Sequence, residues 1–275
     1  MSTQGPTYID HNGYLIPFGF SIDLLNSALE FQPKSNTIFI CSYPKCGTTW
    51  MQNIVYLLMH AGESFPSNLQ VDNVMPHLEL SGSKFCENFP VIKTHLPRNF
   101  LHINPQAKYI VVARNPKDCC VSFYHHTRGF VTYYNYANGT FDDYFERFIN
   151  GKVDFNDYFD HFQSWEPYLN DSNVFFCTYE QLKSDTKEII KKLALFLGIE
   201  MDKNMLEKVL NNCSFASMKK DGQRWTDERP NDMPSFMRKG EIGDWRNHFT
   251  QEQSDRMDMK IKQYPLMNEL WGKYM

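Results

Sequence analysis

Short runs of apolar and β-branched residues fall at intervals along the chain, separated by stretches in which apolar positions recur every three to four residues. The runs predict strands at Thr37–Cys41, Val91–Thr94, Lys108–Ala113 and Asn173–Thr178. Helical spacing, as in Trp50, Ile54, Leu57 and Leu58, predicts helices over Ile22–Glu30, Thr48–His60, Lys117–Thr127, Tyr158–Leu169, Lys187–Leu197, Asn204–Leu210 and Gln251–Gln263. This alternation is that of an α/β fold in a single domain, a central parallel sheet with helices on both faces. Residues 19–275 read as that domain, and 1–18 as a partly flexible N-terminal extension. Glu63–Phe89 and Lys220–Lys239 carry several Gly, Pro, Asn, Asp and Ser with weak periodicity. They read as long loops beside the C-terminal edge of the sheet, where ligands bind in open α/β folds.

The turn Tyr43–Thr49 links a buried strand to an amphipathic helix. The N–H groups of Cys46, Gly47, Thr48 and Thr49 are expected to point at one anion, assisted by the helix dipole and by Lys45. The ATP-binding pattern G-x-x-x-x-G-K-[ST] is not met, because the first glycine is missing and the lysine precedes the remaining one. The anion is therefore not expected to be the β-phosphate of ATP, although the turn is P-loop-like.

The wording YPKCGTTW resembles the 5′-phosphosulfate loop of the cytosolic sulfotransferases. These enzymes move a sulfuryl group from 3′-phosphoadenosine 5′-phosphosulfate to an acceptor hydroxyl or amine. The resemblance continues in order through KTHLP (Lys93–Pro97), VVARNPKDCCVSFYHH (Val111–His126), CTYEQL (Cys177–Leu182), CSFASM (Cys213–Met218) and FMRKGEIGDW (Phe236–Trp245). It implies one sulfotransferase domain from about Gly19 to Met275.

Sulfuryl transfer sets three demands: a proton must leave the attacking atom, the SO3 group must be neutralised, and the departing phosphate gains charge. His95, at a strand end, is placed to take the proton, and an unperturbed imidazole pKa of about 6.5 suits that task. By itself such a histidine also reads as structural; the resemblance implies the base. Lys45 would sit against the leaving phosphate and Lys93 against the sulfuryl oxygens. No metal is expected, since lysines and loop amides take the part that Mg²⁺ has in ATP enzymes. The 3′-phosphate requires a second anion site, which the resemblance assigns to Arg114, Ser122, Arg238, Lys239 and Gly240. Taken singly, Arg114 also fits an ordinary ion pair. For adenine, Trp50 and Phe215 would stack and Tyr179 would bond near the ring edge; Trp50 equally fits helix-to-sheet packing. Cys213 stands where the family has threonine, and a thiol is the weaker donor.

Phe20, Phe85, Phe123 and Phe236 are expected to wall an apolar slot for a flat phenolic ring, although most of the 22 phenylalanines must be core. Phe130–Tyr136 reads either as substrate-proximal or as the packed end of a helix. His126 stands where relatives commonly have an aromatic, implying a more polar wall. In RNHFTQEQSD (Arg246–Asp255), Thr250 is retained from the family's dimerisation motif, but Gln251 replaces its valine, so a monomer or weak homodimer through 246–255 is expected.

At 275 residues, with 42% hydrophobic and 15% aromatic content, the chain fills one core. A net charge of −4 argues against general nucleic-acid affinity, so an anionic cofactor depends on the local cluster Lys45, Lys93, Arg114, Arg238 and Lys239. No apolar run of about 18 residues and no signal-peptide pattern is present, giving the expectation of a cytoplasmic protein without a membrane partner. Seven irregularly spaced cysteines favour reduced thiols. Cys119, Cys120, His125 and His126 lack metal-ligand spacing. The expected function is sulfuryl transfer by in-line displacement to a small acceptor, a phenol or catecholamine-like compound. A small-molecule kinase is disfavoured by the unmet ATP pattern, and a non-catalytic nucleotide-binding module by the joint presence of His95, Lys45 and Lys93.

Overall fold

Six short strands organise the chain in a computed structural model that describes residues 5–66, 69–225, 230, 233 and 235–274. Strands β1 (Tyr8–His11) and β2 (Tyr14–Pro17) form an antiparallel hairpin. Strands β3 (Ile38–Cys41), β4 (Val91–Thr94), β5 (Lys108–Ala113) and β6 (Val174–Thr178) form a parallel sheet in the order β4-β3-β5-β6. Ile38 is opposite both Val91 and Lys108, and Tyr109 is opposite Val174.

Strand side chains alternate between faces, and here they separate into two cores. Phe39, Cys41, Tyr109, Val111 and Ala113 pack on one side with Phe123, Phe159 and Trp165. Ile40, Ile110, Val112 and Cys177 pack on the other with Ile54, Val55, Leu193 and Val209. Both faces being covered, the strands read as continuous apolar runs. All seven cysteines are free and buried. Among the described residues no helix is long and apolar enough to cross a membrane.

The expected helices form with small shifts of their ends, as in Thr48–Met59 and Pro116–Gly129. Tyr158–Leu169 is divided: the α-helix ends at Trp165 and a 3₁₀ turn, Glu166–Tyr168, follows because Pro167 has no N–H to continue the ladder. Helices not anticipated include Phe141–Ile149, Tyr179–Ser184, Phe215–Lys220, Pro265–Trp271 and the single turn Val131–Tyr134. The Glu63–Phe89 stretch holds short turns of helix at Val71–Asn73, Leu78–Ser81 and Ser83–Cys86. Part of the Lys220–Lys239 loop, residues 226–229, 231–232 and 234, lies outside the described residues.

Residues 5–18 are built into the body of the molecule. Tyr14 and Ile16 are buried, and Leu15 bonds to the turn at 155–156 through its N–H and its carbonyl. Near the other end, Thr250 caps helix Gln251–Ile261, and exposed Gln251 donates through Nε2 to Asp255 Oδ1 at 2.8 Å.

Candidate active site

All four parallel strands deliver their C-terminal ends to one cleft of about 1690 Å³. That volume exceeds the usual range for one small ligand, roughly 300–1,000 Å³, and leaves room for a nucleotide and an acceptor together.

At the floor, Gly47 is the N-cap of helix Thr48–Met59 with φ 108°, a conformation at which only glycine is at ease. A Cβ there would also approach Tyr179 Cδ2 to 3.1 Å. Ser42 Oγ and Thr48 Oγ1, 2.6 Å apart and buried, tie the strand end to the helix start. The Cys46 N–H donates to the Tyr43 carbonyl at 3.3 Å, and the Cys46 thiol lies 3.8 Å from Cys119 Sγ in the core. The expected set of four amides is therefore reduced to those of Gly47, Thr48 and Thr49, which lie in the first turn where no intrahelical acceptor exists.

Positive charge surrounds that turn. Lys45 Nζ lies 3.2 Å from His126 Nδ1 and 4.1 Å from the centre of the Phe236 ring. The Arg114 guanidinium is buried over the Tyr179 ring and donates to the carbonyls of Lys45 and Glu241, both at 3.2 Å. Its Nε has no hydrogen-bond partner among the described residues. Burial opposes the charge of Arg114, but Tyr179, Asp118 and Glu180 outweigh it and raise the pKa above the ordinary arginine value. A buried cationic donor left over in this way suits an anionic ligand.

Arg238 and Lys239 converge, but on a group that the sequence did not single out. Asp244 accepts from Arg238 Nη2 at 2.5 Å and from Lys239 Nζ at 2.6 Å. Burial acts to raise the Asp244 pKa, yet Lys239, Asn247 and Arg238 hold it well below the usual carboxylate range. Gly240, at φ 66°, lays its backbone on the Phe215 ring, where a Cβ would come within 2.6 Å of Cδ2. Ser122 lines the same region. Trp50 meets Tyr179 edge-on at 5.5 Å and donates Nε1–H to the Cys213 carbonyl at 2.9 Å, so it both packs and faces the cleft. The Cys213 thiol turns back toward the Leu210 carbonyl.

His95 follows β4. Its Nδ1 donates to the Ser42 carbonyl at 2.7 Å, and its backbone N–H donates to Glu79 Oε1 at 2.5 Å. Burial, aided by the nearby charges of His77 and Lys93, pushes its pKa well below the ordinary 6.5. Lys93 Nζ is 3.0 Å from Asp72 Oδ1. His77, buried, lies edge-on to His95 with ring centres 4.9 Å apart.

Phe20, Phe123, His126 and Phe236 line the cleft as expected, joined by Phe130 and Tyr133 from the ambiguous stretch. Phe85 does not. The Ser83–Cys86 turn directs it outward, 46% exposed and packed on Phe89 at 5.0 Å. His77, Asp154, Phe155 and Asp72 also line the cleft and went unrecognised, since each lies in a turn without a distinctive motif. Among the described residues no three His, Cys, Asp or Glu are grouped to hold a metal.

A sulfotransferase domain model matches residues 35–270. Human sulfotransferase 1C2 is 35% identical over 258 residues, 86% of each chain. Mouse sulfotransferase 1B1 is 32% identical over 91% of this chain and 89% of its own. The crystal structure of mouse sulfotransferase SULT7A1 complexed with PAP superposes with a TM-score of 0.79 at 29% identity, covering 93% of this chain and 94% of that one. With the strand-to-helix anion turn, the clustered cations and these matches in agreement, the chain belongs to the sulfotransferase family.

Proposed function

We propose that this sulfotransferase transfers a sulfuryl group from 3′-phosphoadenosine 5′-phosphosulfate to a small hydroxyl- or amine-bearing acceptor, a phenol or catecholamine-like compound, with His95 as general base. The observation that carries this reading is the Nδ1 bond from His95 to the Ser42 carbonyl. A carbonyl only accepts, so Nδ1 holds the hydrogen and Nε2 keeps its lone pair for the acceptor's proton. The lowered pKa keeps the ring neutral near pH 7, the form a base requires.

The residues fit a donor of this kind. The Gly47–Thr49 amides suit its 5′ end, the leftover Arg114 Nε with Ser122, Arg238 and Lys239 suits a second phosphate, and Trp50, Tyr179 and Phe215 suit a purine between them. When bound, the donor supplies the sulfuryl group and leaves as adenosine 3′,5′-bisphosphate; PAP in the mouse relative supports this choice. Lys45 and Lys93 provide fixed positive charge where negative charge develops. The test is a screen of phenols, monoamines, steroids and primary alcohols with labelled donor, run in parallel on His95→Ala. Label transfer by the unaltered chain but not by the variant is expected; absence of transfer to every class would refute the proposal.

A further inference from the structure

Phe155 adopts φ of 61°, a left-handed conformation that a bulky residue rarely enters, and among the described residues it is the one aromatic to do so. Asn156 follows at φ 58°. Strain of this kind persists only where the surroundings over-determine it. Here four hydrogen bonds do so. Phe155 N donates to the Leu15 carbonyl at 2.7 Å, Leu15 N to Asn156 Oδ1 at 2.8 Å, Asn156 Nδ2 to the Gly13 carbonyl at 2.7 Å, and Tyr43 OH to the Asn156 carbonyl at 2.8 Å. The first three tie the turn to the N-terminal hairpin, whose Tyr14 ring also meets Phe155 edge-on at 6.4 Å.

What the strained turn delivers is a buried ring beside the proposed base. Phe155 lies edge-on to His95 at 5.2 Å and stacks on His77 at 6.3 Å, while His77 is edge-on to His95 at 4.9 Å, so the three rings close a triangle. The bond from Nδ1 to the Ser42 carbonyl fixes one atom of His95. The last torsion of a histidine side chain is soft, and that bond alone leaves the plane of the ring unset. Edge-on packing from two sides sets it. The charged and titratable groups that face His95 are His77, Lys93 from β4, His161 from helix Tyr158–Trp165, and Glu79, which accepts its backbone N–H. Phe155 is the apolar member of this surrounding, and it shields the imidazole from water, in keeping with burial as the chief cause of the lowered His95 pKa.

We infer that Phe155 is the positioning residue of His95: held in its left-handed turn by the N-terminal hairpin, the ring sets the plane of the imidazole so that Nε2 meets the acceptor, and keeps that side of the base dry. The inference rests on the sulfuryl-transfer reading above and deepens it. Phe155 moves no proton itself. Its absence lets the ring tilt, and small displacements of a catalytic group are costly in rate. A residue that merely walled the cleft would instead change acceptor KM and leave the ionisation of His95 as it was.

The test uses the full chain with Phe155→Ala and Phe155→Tyr. His95 is titrated by NMR of isotope-labelled histidine with adenosine 3′,5′-bisphosphate present, its signal identified by its loss in His95→Ala, and kcat and KM for a phenol are measured with labelled donor. Phe155→Ala is expected to raise the His95 pKa by about one pH unit or more toward the ordinary 6.5 and to lower kcat by about tenfold, with donor affinity unchanged. Phe155→Tyr keeps the ring and is expected to keep the pKa in place. A rise in KM alone, with His95 titrating as in the unaltered chain, overturns the inference. Should Phe155→Ala fail to fold, Asn156→Gly decides, since glycine is at ease at φ 58° but gives up the side-chain bonds to Leu15 N and the Gly13 carbonyl. The same upward shift of the His95 pKa, in smaller degree, is expected there, and an unmoved pKa overturns the inference. A shifted pKa in Phe155→Ala without label transfer by the unaltered chain would count against the sulfuryl-transfer reading while upholding the hold of Phe155 on His95.

Discussion

His95 Nδ1 lies 2.7 Å from the Ser42 carbonyl oxygen, and this one bond assigns the two ring nitrogens to different tasks. Removing the ring in His95→Ala is expected to lower turnover by about 10²–10⁴ with donor affinity nearly intact. Stopped assays with labelled donor and calorimetry measure the two quantities, and near-normal turnover would remove His95 from the mechanism. Because burial lowers the His95 pKa, the neutral base persists as pH falls through 6.5. The kcat/KM profile should therefore stay level through neutrality and drop only well below that value; an inflection at 6.5 or above would contradict the assignment.

The proposed second phosphate site gives a separable effect. Arg238→Ala is expected to weaken binding of the 3′-phosphorylated donor by roughly 1.5–3 kcal/mol, the range for a charge-assisted hydrogen bond. Adenosine 5′-phosphosulfate, which lacks the 3′ group, should bind almost as before. Equal losses for both nucleotides in calorimetry would sink the assignment. Asp244, which holds Arg238 and Lys239 together, orients both cations toward one point.

Lys93 is paired with Asp72, a carboxylate from the Val71–Asn73 turn. Asp72→Asn removes that competitor. Partly exposed pairs are worth about 1 kcal/mol or less, so donor affinity should improve by roughly two- to fivefold. The gain should be absent for adenosine 3′,5′-bisphosphate, which has no sulfuryl group for Lys93 to meet. An identical change for both nucleotides would place Lys93 elsewhere.

Only weak self-association through 246–255 is expected. Gln251 is exposed and already bonded to Asp255, so it offers amide rather than apolar burial to a partner. A monomer or a dimer weaker than micromolar is expected, with Gln251→Val shifting the balance toward dimer. Sedimentation equilibrium across a concentration series decides. Thr250→Asp is an apt control, because aspartate preserves the helix cap that Thr250 provides. A tight dimer of the unaltered chain that survives this change would refute both the weak contact and its location.

The elements legible in the sequence were those whose pattern is local. Ile38–Cys41 and residues 109–113 are covered on both faces and read as near-continuous apolar runs, and Gly47 marks a turn that few residues can make. Helix Phe141–Ile149 was missed although Thr140 caps it and its aromatic face is buried, because Gly139 and two leading aspartates resemble loop composition. The residues proposed to hold the donor carried motif signatures, whether at strand ends like Arg114 or in helices like Trp50 and Ser122. The remaining cleft wall did not, since His77, Asp154 and Phe155 reach the cleft through tertiary contacts across the sequence, and Phe85, chosen for its proximity to a motif, points away.

Leu15 and Asn156 are 141 residues apart in sequence and joined by direct hydrogen bonding, which ties the N-terminal hairpin to the turn that carries Phe155 beside His95. The residues proposed to hold the donor come from the parallel-strand ends, the helices after them and the segment near Asp244; among the described residues none comes from β1 or β2. Alteration of Gly13 or Leu15 is thus expected to shift Phe155 and its neighbours while leaving the Gly47 turn and Arg114 in place. On the proposed reading, the two halves that meet at one reacting atom are carried by separate stretches of the chain, and a substitution in one is expected to leave the other in place.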